Sequence, residues 1–324
     1  MAFLKIKTDG DPFPAKAGSA NTDGVSSDGK FGVTFGSPLN TGAVRGFSDT
    51  RTGYNTIIDR DPPKEYKIKY RAGDRDQYSE PSKRVQEDDV VGVAINGVPI
   101  YSPLSKIHPT DNSNSGSTFH FNLGSPDLND ALDNCGGRPE VDGEYRYRTG
   151  NFCYNGFANG ANPNMIFVNS SDYISSSSFG SDYLRHDTIE HDNTTFTAGH
   201  SKIIGWALDG FPIYGPYGYY EPLDPTSSVV QMISAYGLRD QDDPILNHPE
   251  RVSIIQGIYV EDYELKEFTG TLDAFNGRYC VTPDFKEGTY AYFLTFDEVS
   301  EDEVPNNPAY PYVVGPVSKQ PRSQ

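Results

Sequence analysis

One twelve-residue pattern occurs twice in this chain, and it constrains the fold more than any other feature. Gly92–Pro103 reads GVAINGVPIYSP and Gly205–Pro216 reads GWALDGFPIYGP, with seven of twelve positions identical and no gaps. In each copy an apolar run leads into Asn-Gly or Asp-Gly, and a second apolar run follows. These dipeptides tolerate the positive φ that a two-residue type I′ turn requires, so each copy is expected to be a β-hairpin. Pro99 and Pro212 cannot donate a ladder hydrogen bond and belong at an edge or bulge of the second strand.

A second pattern follows each hairpin. Leu132–Arg138 reads LDNCGGR and Leu272–Arg278 reads LDAFNGR. Each then reaches a Gly and alternating tyrosines, in Asp142–Arg148 (DGEYRYR) and Glu287–Phe293 (EGTYAYF). In a strand, Tyr-x-Tyr puts both rings on one face and the intervening side chains on the other. The order hairpin, Tyr strand, hairpin, Tyr strand predicts a mainly β, internally duplicated antiparallel domain. Its two quasi-repeats, about 31–160 and about 161–324, would share one core about a pseudo-two-fold axis.

Composition agrees with strands. Hydrophobic residues make up 35% of the chain and aromatic residues 13%, with 32 Gly and 24 Pro. Frequent turns leave little room for long helices, and Tyr and Phe suit a half-buried pleated surface. Short β-like runs are expected at Phe31–Phe35, Tyr66–Tyr70, Val90–Ile95 and Ser253–Val260. Short helices are expected around Leu128–Leu132 and over Val229–Tyr236, with Gly237 as the stop. Asn112–Ser117, Asn159–Asn164 and Ser170–Ser181 read as long polar loops. Residues 1–30 are too poor in apolar side chains to fold alone and read as an extended N-terminal arm that straps onto a neighbour or stays a tail.

The net charge is −18, from 27 basic and 45 acidic residues. Such a chain repels phosphates, so nucleic acid is not an expected partner. The three cysteines are too few for a disulfide scaffold; Cys135 and Cys153 could bridge if oxidised, leaving Cys280 over. No apolar run is long enough for a membrane span, and the N-terminus carries no secretory leader. The expectation is synthesis in the cytoplasm and no membrane partner.

His200–Tyr219, HSKIIGWALDGFPIYGPYGY, resembles the central motif of YHYH-domain proteins. The two Tyr-x-Tyr segments resemble the places where that family carries its Tyr-His-Tyr-His signature, and Pro308–Gly315, PAYPYVVG, resembles its closing pattern. The resemblance spans roughly Gly32 to Gly315. It implies histidines where this chain has Arg146 and Arg148 in one copy and Ala291 and Phe293 in the other. The tyrosines Tyr145, Tyr147, Tyr290 and Tyr292 are kept. Arginine is neither an ordinary metal ligand nor a general base near neutral pH, so the implied imidazole chemistry is absent from these positions. Members of the resembled family look like secreted or surface proteins of bacteria and algae, with others among structural proteins of phages that infect cyanobacteria, and the expected arm and absent leader fit the phage branch better.

Among the remaining histidines, His200 stands just before the second hairpin and could approach Asp209. Arg185–Asp192, RHDTIEHD, reads as a solvated loop, because its histidine spacing fits no metal-site motif. No catalytic residue and no metal ligand is assigned. Weak binding candidates are His200, Asp209, Tyr145, Arg146, Tyr147, Arg148, Tyr290 and Tyr292. No cofactor is expected, although Ca²⁺ could sit on the acidic loops Asp240–Asp243 and Glu298–Glu303. Trp206 reads as core. The leading expectation is a non-enzymatic virion protein of a phage capsid or tail, bound to other virion proteins or to itself, with the host surface and its glycans as further partners. The alternatives are a metal-binding protein or metal-dependent hydrolase, and a carbohydrate-binding module.

Overall fold

A computed structural model describes residues 3–8, 64–69, 82–95, 97–108, 118–128, 132, 136–139, 145–150, 185–266, 269–298 and 307–319. The expected strand Phe31–Phe35, the three long loops, Cys135 and Cys153 lie outside these residues. So does most of the acidic run Glu298–Glu303.

The centre of the fold is one eight-stranded sheet. Its strands, in chain order, are β1 (Val90–Ala94), β2 (Pro99–Tyr101), β3 (Gly137–Pro139), β4 (Tyr145–Tyr147), β5 (Ile203–Ala207), β6 (Pro212–Tyr214), β7 (Gly277–Cys280) and β8 (Thr289–Phe293). Across the sheet they run β3-β4-β2-β1-β5-β6-β8-β7, so the first four strands and the last four stand in mirrored order. β1 pairs antiparallel with β5 at the centre, through Val93↔Trp206. Moving outward, each half has an antiparallel hairpin, then a parallel pair, then an antiparallel edge pair. The sheet is therefore mostly antiparallel, with β2–β4 and β6–β8 as its two parallel pairs. The parallel pairs arise because each Tyr strand enters after a long connection rather than a tight turn.

Local geometry repeats with the order. Register shifts between Val90 and Gly92 in β1, and between Ile203 and Gly205 in β5, in each case just where the twelve-residue pattern begins. The Ile95 amide donates to the Ile204 carbonyl, and the Leu208 amide donates to the Val91 carbonyl, at 2.9 and 3.0 Å. Each hairpin turn is thus tied to the irregularity in the other hairpin.

The turn differs from the expected type I′. In the second hairpin the Gly210 amide donates to Ala207 O and the Ala207 amide to Phe211 O, both at 2.9 Å. The loop has three residues, and the positive φ falls on Gly210 alone, at 98°. Gly97 matches it at 89°, inside the same hydrogen-bond pattern. This is the three-residue hairpin whose last residue forms a glycine bulge, so Asp209 needs no left-handed backbone. Pro99 and Pro212 open the interior strands β2 and β6 rather than lying on an edge. As first residues of their strands they interrupt little of the ladder.

The two sheet faces bury different cores. Ile100, Tyr147, Ile213, Tyr290 and Tyr292 fill one face together with Val98, Phe211 and the closing segment Tyr310–Val314. The opposite face holds Tyr214, Met232, Leu272, Cys280, Ala291 and Phe293. Tyr66 and Ile68 pack over Val93 beside half-buried Trp206. They belong to Lys64–Lys69, which pairs antiparallel with Phe3–Thr8, so the start of the N-terminal segment is a strand of the domain.

Two other expected elements differ. Val229–Tyr236 is not helical: Val229–Gln231 pairs with Tyr217–Tyr219, and Tyr236–Leu238 pairs with Tyr263–Leu265, with Gly237 inside the strand. β-Branched and aromatic residues at both ends favour pairing over a helix of two turns. The expected strand Ser253–Val260 is a braced loop. Arg251 there pairs with fully buried Asp262, whose carboxylate also accepts from the Gly257 and Tyr259 amides. Near Leu128 there is one short 3-10 turn, Pro126–Leu128.

Candidate functional site

The Tyr-x-Tyr pattern sorts the candidate residues onto the two faces. On the first face, each tyrosine hydroxyl of β8 meets a carboxylate. Tyr292 donates to Asp209 Oδ2 at 2.5 Å, and Tyr290 donates to Asp273 at 2.8 Å. Asp209 also accepts from the Phe211 amide, and Asp273 from the Phe275 and Gly277 amides. Both carboxylates therefore order a turn and hold a buried ring. Tyr147 lies in the same core, while the Tyr145 side chain lies outside the described set.

On the opposite face stand the intervening residues. In the first half Arg146 lies 4.2 Å above the Tyr101 ring and Arg148 lies 5.3 Å from it. Arg148 is only 2% exposed; it donates to Ser102 O at 2.6 Å and to Asp88 at 2.9 Å. In the second half Ala291 and Phe293 are fully buried, and the Phe293 ring stacks on Tyr214 at 5.7 Å.

His200 joins this second-half face and does not meet Asp209. Its ring lies 5.2 Å from Tyr214, 4.9 Å from Tyr219 and 6.1 Å from Phe293. Asp209 is bound on the other side of the sheet, through the tyrosine next to Phe293. The Ser201 carbonyl, 2.7 Å away, can only accept, so Nδ1 of His200 carries the hydrogen and Nε2 carries a lone pair. Burial lowers the His200 pKa to about 3, so the ring is neutral at physiological pH.

Next to it is a pair the sequence reading missed. His186 Nε2 lies 3.2 Å from Asp284 Oδ2, and Tyr214 donates to the same oxygen at 3.0 Å while sharing a hydrogen bond with Thr282. Burial alone would raise the Asp284 pKa. The hydrogen bonds from His186 and Tyr214 outweigh it and hold the carboxyl below its usual range. His186 belongs to the run expected to be a solvated loop. Instead Arg185 is buried with its guanidinium 3.5 Å from the Tyr217 ring centre, and Ile189–His191 forms a small hairpin with Thr194–Phe196. His186 and Asp284 are 98 residues apart, and no local spacing links them.

The hydroxyls and thiol of this face are all engaged or protected. Ser201 Oγ accepts from the Tyr217 amide and Thr282 Oγ1 from the Phe285 amide. Burial pushes the Cys280 thiol up to about 11, so it stays protonated. The arrangement pairs the His186 imidazole with a carboxylate and sets a neutral acceptor at His200, and among the described residues of this face none is an activated nucleophile. Among the described residues, no three His, Cys, Asp or Glu side chains converge as a metal site. The acidic loop Asp240–Asp243 is tied to basic partners: Asp240 to Lys266 and Asp243 to Arg239. Among the described residues no helix is long and apolar enough to cross a membrane.

No curated protein and no solved structure matches the chain. A family profile described as "YHYH protein" does match, over residues 71–301, and its span includes both hairpins, both Tyr-x-Tyr strands and the His186–His200 region. The chain belongs to the YHYH protein family.

Proposed function

We propose that this chain is a non-enzymatic structural component of a phage particle, in the capsid or tail, where it binds neighbouring subunits. The observation that carries the reading is the state of the four signature positions. Arg148, Ala291 and Phe293 are buried and Arg146 is half-buried on Tyr101. All four brace or fill the sheet, and none offers a base, acid or nucleophile to a substrate. Positions converted to packing serve an architecture rather than a reaction. The phage setting itself rests on the family resemblance of the sequence.

A contact surface supports the binding role. Ile254 is 97% exposed, with Val252 and Ile255 exposed beside it on the loop that the Arg251–Asp262 pair braces. Three aliphatic side chains held outward by a buried ion pair suit a protein partner better than a glycan, which favours aromatic and polar contacts. Mass spectrometry of particles purified from cells producing the chain tests the proposal. The expected result is a fixed copy number per particle that survives washing. Absence from the particles refutes it.

A further inference from the structure

We propose that this chain associates head to tail, with the aliphatic loop 252–255 of one copy docking on the lysine-rich ribbon of Phe3–Thr8 and Lys64–Lys69 of the next. The inference rests on the subunit-binding reading above and deepens it by naming the partner: a second copy of this chain.

Charge points to the pairing. The ribbon holds five lysines and one glutamate, a net +4. The whole chain carries −18, so everything outside the ribbon carries −22. Tyr66 and Ile68 are buried against the sheet. Strand alternation therefore puts the positions of Lys5, Lys7, Lys67 and Lys69 on the ribbon's other face, and Lys5 stands directly opposite Lys67 in the register. Like charges placed opposite each other cost stability, and an acidic surface laid on them removes that cost. A polyphosphate brought to the ribbon would meet the repulsion of the rest of the chain.

The loop is an acidic surface with an apolar centre. Val252, Ile254 and Ile255 are exposed, and exposed Leu238 lies beside them, against Gly257. The loop is held rigid from below, where the Tyr259 hydroxyl accepts from the Val252 and Ser253 amides at 3.2 and 3.1 Å and Asp262 pairs with Arg251. Docking it costs little ordering entropy. Residues 239–266 hold seven carboxylates and three cations, a net −4. Asp240, Asp242 and Glu250 are exposed at the rim, and Gln241 ties the 240–243 turn to Gln256 at 2.6 Å. A lysine has an apolar stem and a charged tip, so a row of lysines covers aliphatic side chains and still reaches the carboxylates around them.

The two surfaces cannot meet within one copy. Val93 and Trp206, under the ribbon, alternate along β1 and β5 with Ala94 and Ala207 of the first-face core. Val260 and Tyr263, next to the loop, pack on that first-face core. Ribbon and loop thus lie on opposite faces of the sheet. Layers pack about 10 Å apart, so the two are separated by roughly 20 Å, more than two Debye lengths at physiological salt. A contact between unlike surfaces on opposite faces is heterologous, and it extends into a chain of copies or closes into a ring.

Sedimentation velocity of the full chain tests this. At low salt the mean mass is expected to at least double as concentration rises, and to fall to that of one chain in about 0.5 M sodium chloride. Ile254→Glu spoils the loop, and Lys5→Glu with Lys67→Glu spoils the ribbon; each variant alone is expected to stay monomeric. Mixed, they still supply one intact loop and one intact ribbon, so they should form a one-to-one pair that grows no further. Should the ribbon variant fail to fold, Lys5→Gln with Lys67→Gln takes its place with the same expected outcome. A wild-type chain that stays monomeric at low salt overturns the proposal. So does a variant that still grows, or a mixture that stays monomeric. These outcomes are read on the free chain, whereas the particle reading falls only on absence from particles, so the two fail separately.

Discussion

The joint between β1 and β5 makes a prediction that tests the two-fold arrangement directly. Gly92 and Gly205 face each other's strands across the centre of the sheet. A Cβ on Gly92 would lie 2.8 Å from Trp206 O, and a Cβ on Gly205 would lie 2.9 Å from Val93 O. The nearest obstacle in each case is a backbone carbonyl, which cannot rotate away as a side chain can; Gly92 also meets Ile213 Cδ1 at 2.9 Å, where Gly205 has Ile100 Cδ1 at 3.5 Å. Ordinary contact to a carbonyl oxygen starts near 3.4 Å, so Gly92→Ala or Gly205→Ala must push the strands apart by roughly half an ångström. That displacement stretches the Ile95–Ile204 and Leu208–Val91 hydrogen bonds, now 2.9 and 3.0 Å. Overpacking of this kind costs about 1–3 kcal/mol. The two substitutions should both fall in this range, because the carbonyl contacts on the two strands are nearly equal, with Gly92→Ala the more costly by the extra contact with Ile213. The double variant should cost less than the sum, since one widened joint relieves both clashes. Urea unfolding of wild type, both single variants and the double variant measures this. If one glycine tolerates alanine within about 0.5 kcal/mol while the other does not, or if the two costs simply add, the symmetric joint is wrong.

Two further outcomes follow from buried polar pairs. Tyr292→Phe removes the 2.5 Å donor to buried Asp209 and should cost about 1.5–3 kcal/mol in thermal or urea unfolding, whereas Tyr279→Phe, whose hydroxyl bonds a carbonyl at the surface, should change stability by less than about 0.5 kcal/mol. His200 has its folded-state pKa depressed to about 3 from an ordinary value of 6.5, so the unfolded chain binds the proton first. Stability should therefore fall as pH drops from 6.5 towards 3, by on the order of 4 kcal/mol at most, and His200→Phe should flatten that slope. Asp284 acts in a lower window: its carboxyl is held below the ordinary range, so its contribution is present near neutrality and disappears only as pH falls through that depressed value. A His200→Phe curve parallel to wild type between pH 6.5 and 4 would show that His200 is solvated.

The hairpins and the two faces of the Tyr strands were legible because their signals are local. Asn/Asp-Gly between apolar runs marks a reversal, and period-two alternation assigns Tyr290 and Tyr292 to one face and Ala291 and Phe293 to the other. The turn type was not legible. Asp-Gly fits both a two-residue loop and the observed three-residue loop, and what decides is the tie from Leu208 to Val91, made across the sheet. Val229–Tyr236 misled for a related reason: a short apolar run carries no period of its own, and its partners Tyr217–Tyr219 and Tyr263–Leu265 set its conformation. The His186–Asp284 pair was invisible because its halves come from unrelated loops, one placed by the His186 amide bond to the His200 carbonyl and the other by the Tyr214 hydroxyl. His200 was found, but with the wrong partner. A histidine near Asp209 in sequence lies on the opposite face once the strands alternate.

The comparison of the two halves with each other then says where this chain's particular properties lie. On the first face the matched positions hold matched residues: Ile100 and Ile213, Tyr147 and Tyr292, Val98 and Phe211, all in one core. On the second face Tyr101 and Tyr214 still correspond, but their neighbours do not. Arg146 stands where the other half has Ala291, Arg148 where it has Phe293, and Val93 where it has Trp206. A core packed from both halves leaves little freedom, since a change in one half has to fit against buried residues of the other. The outer face carries no such constraint, because its two halves are covered by different segments, Tyr66 and Ile68 over the centre and Met232 and Leu272 over the second half. Each half can therefore solve its own charge problem there. The first does so with an internal carboxylate at Arg148, whereas in the second Arg278 reaches only the neutral Tyr219 carbonyl and Cys280. Whatever distinguishes this protein from a bare scaffold is to be sought on that second face, where the sequences of the two halves diverge while their strand order stays mirrored.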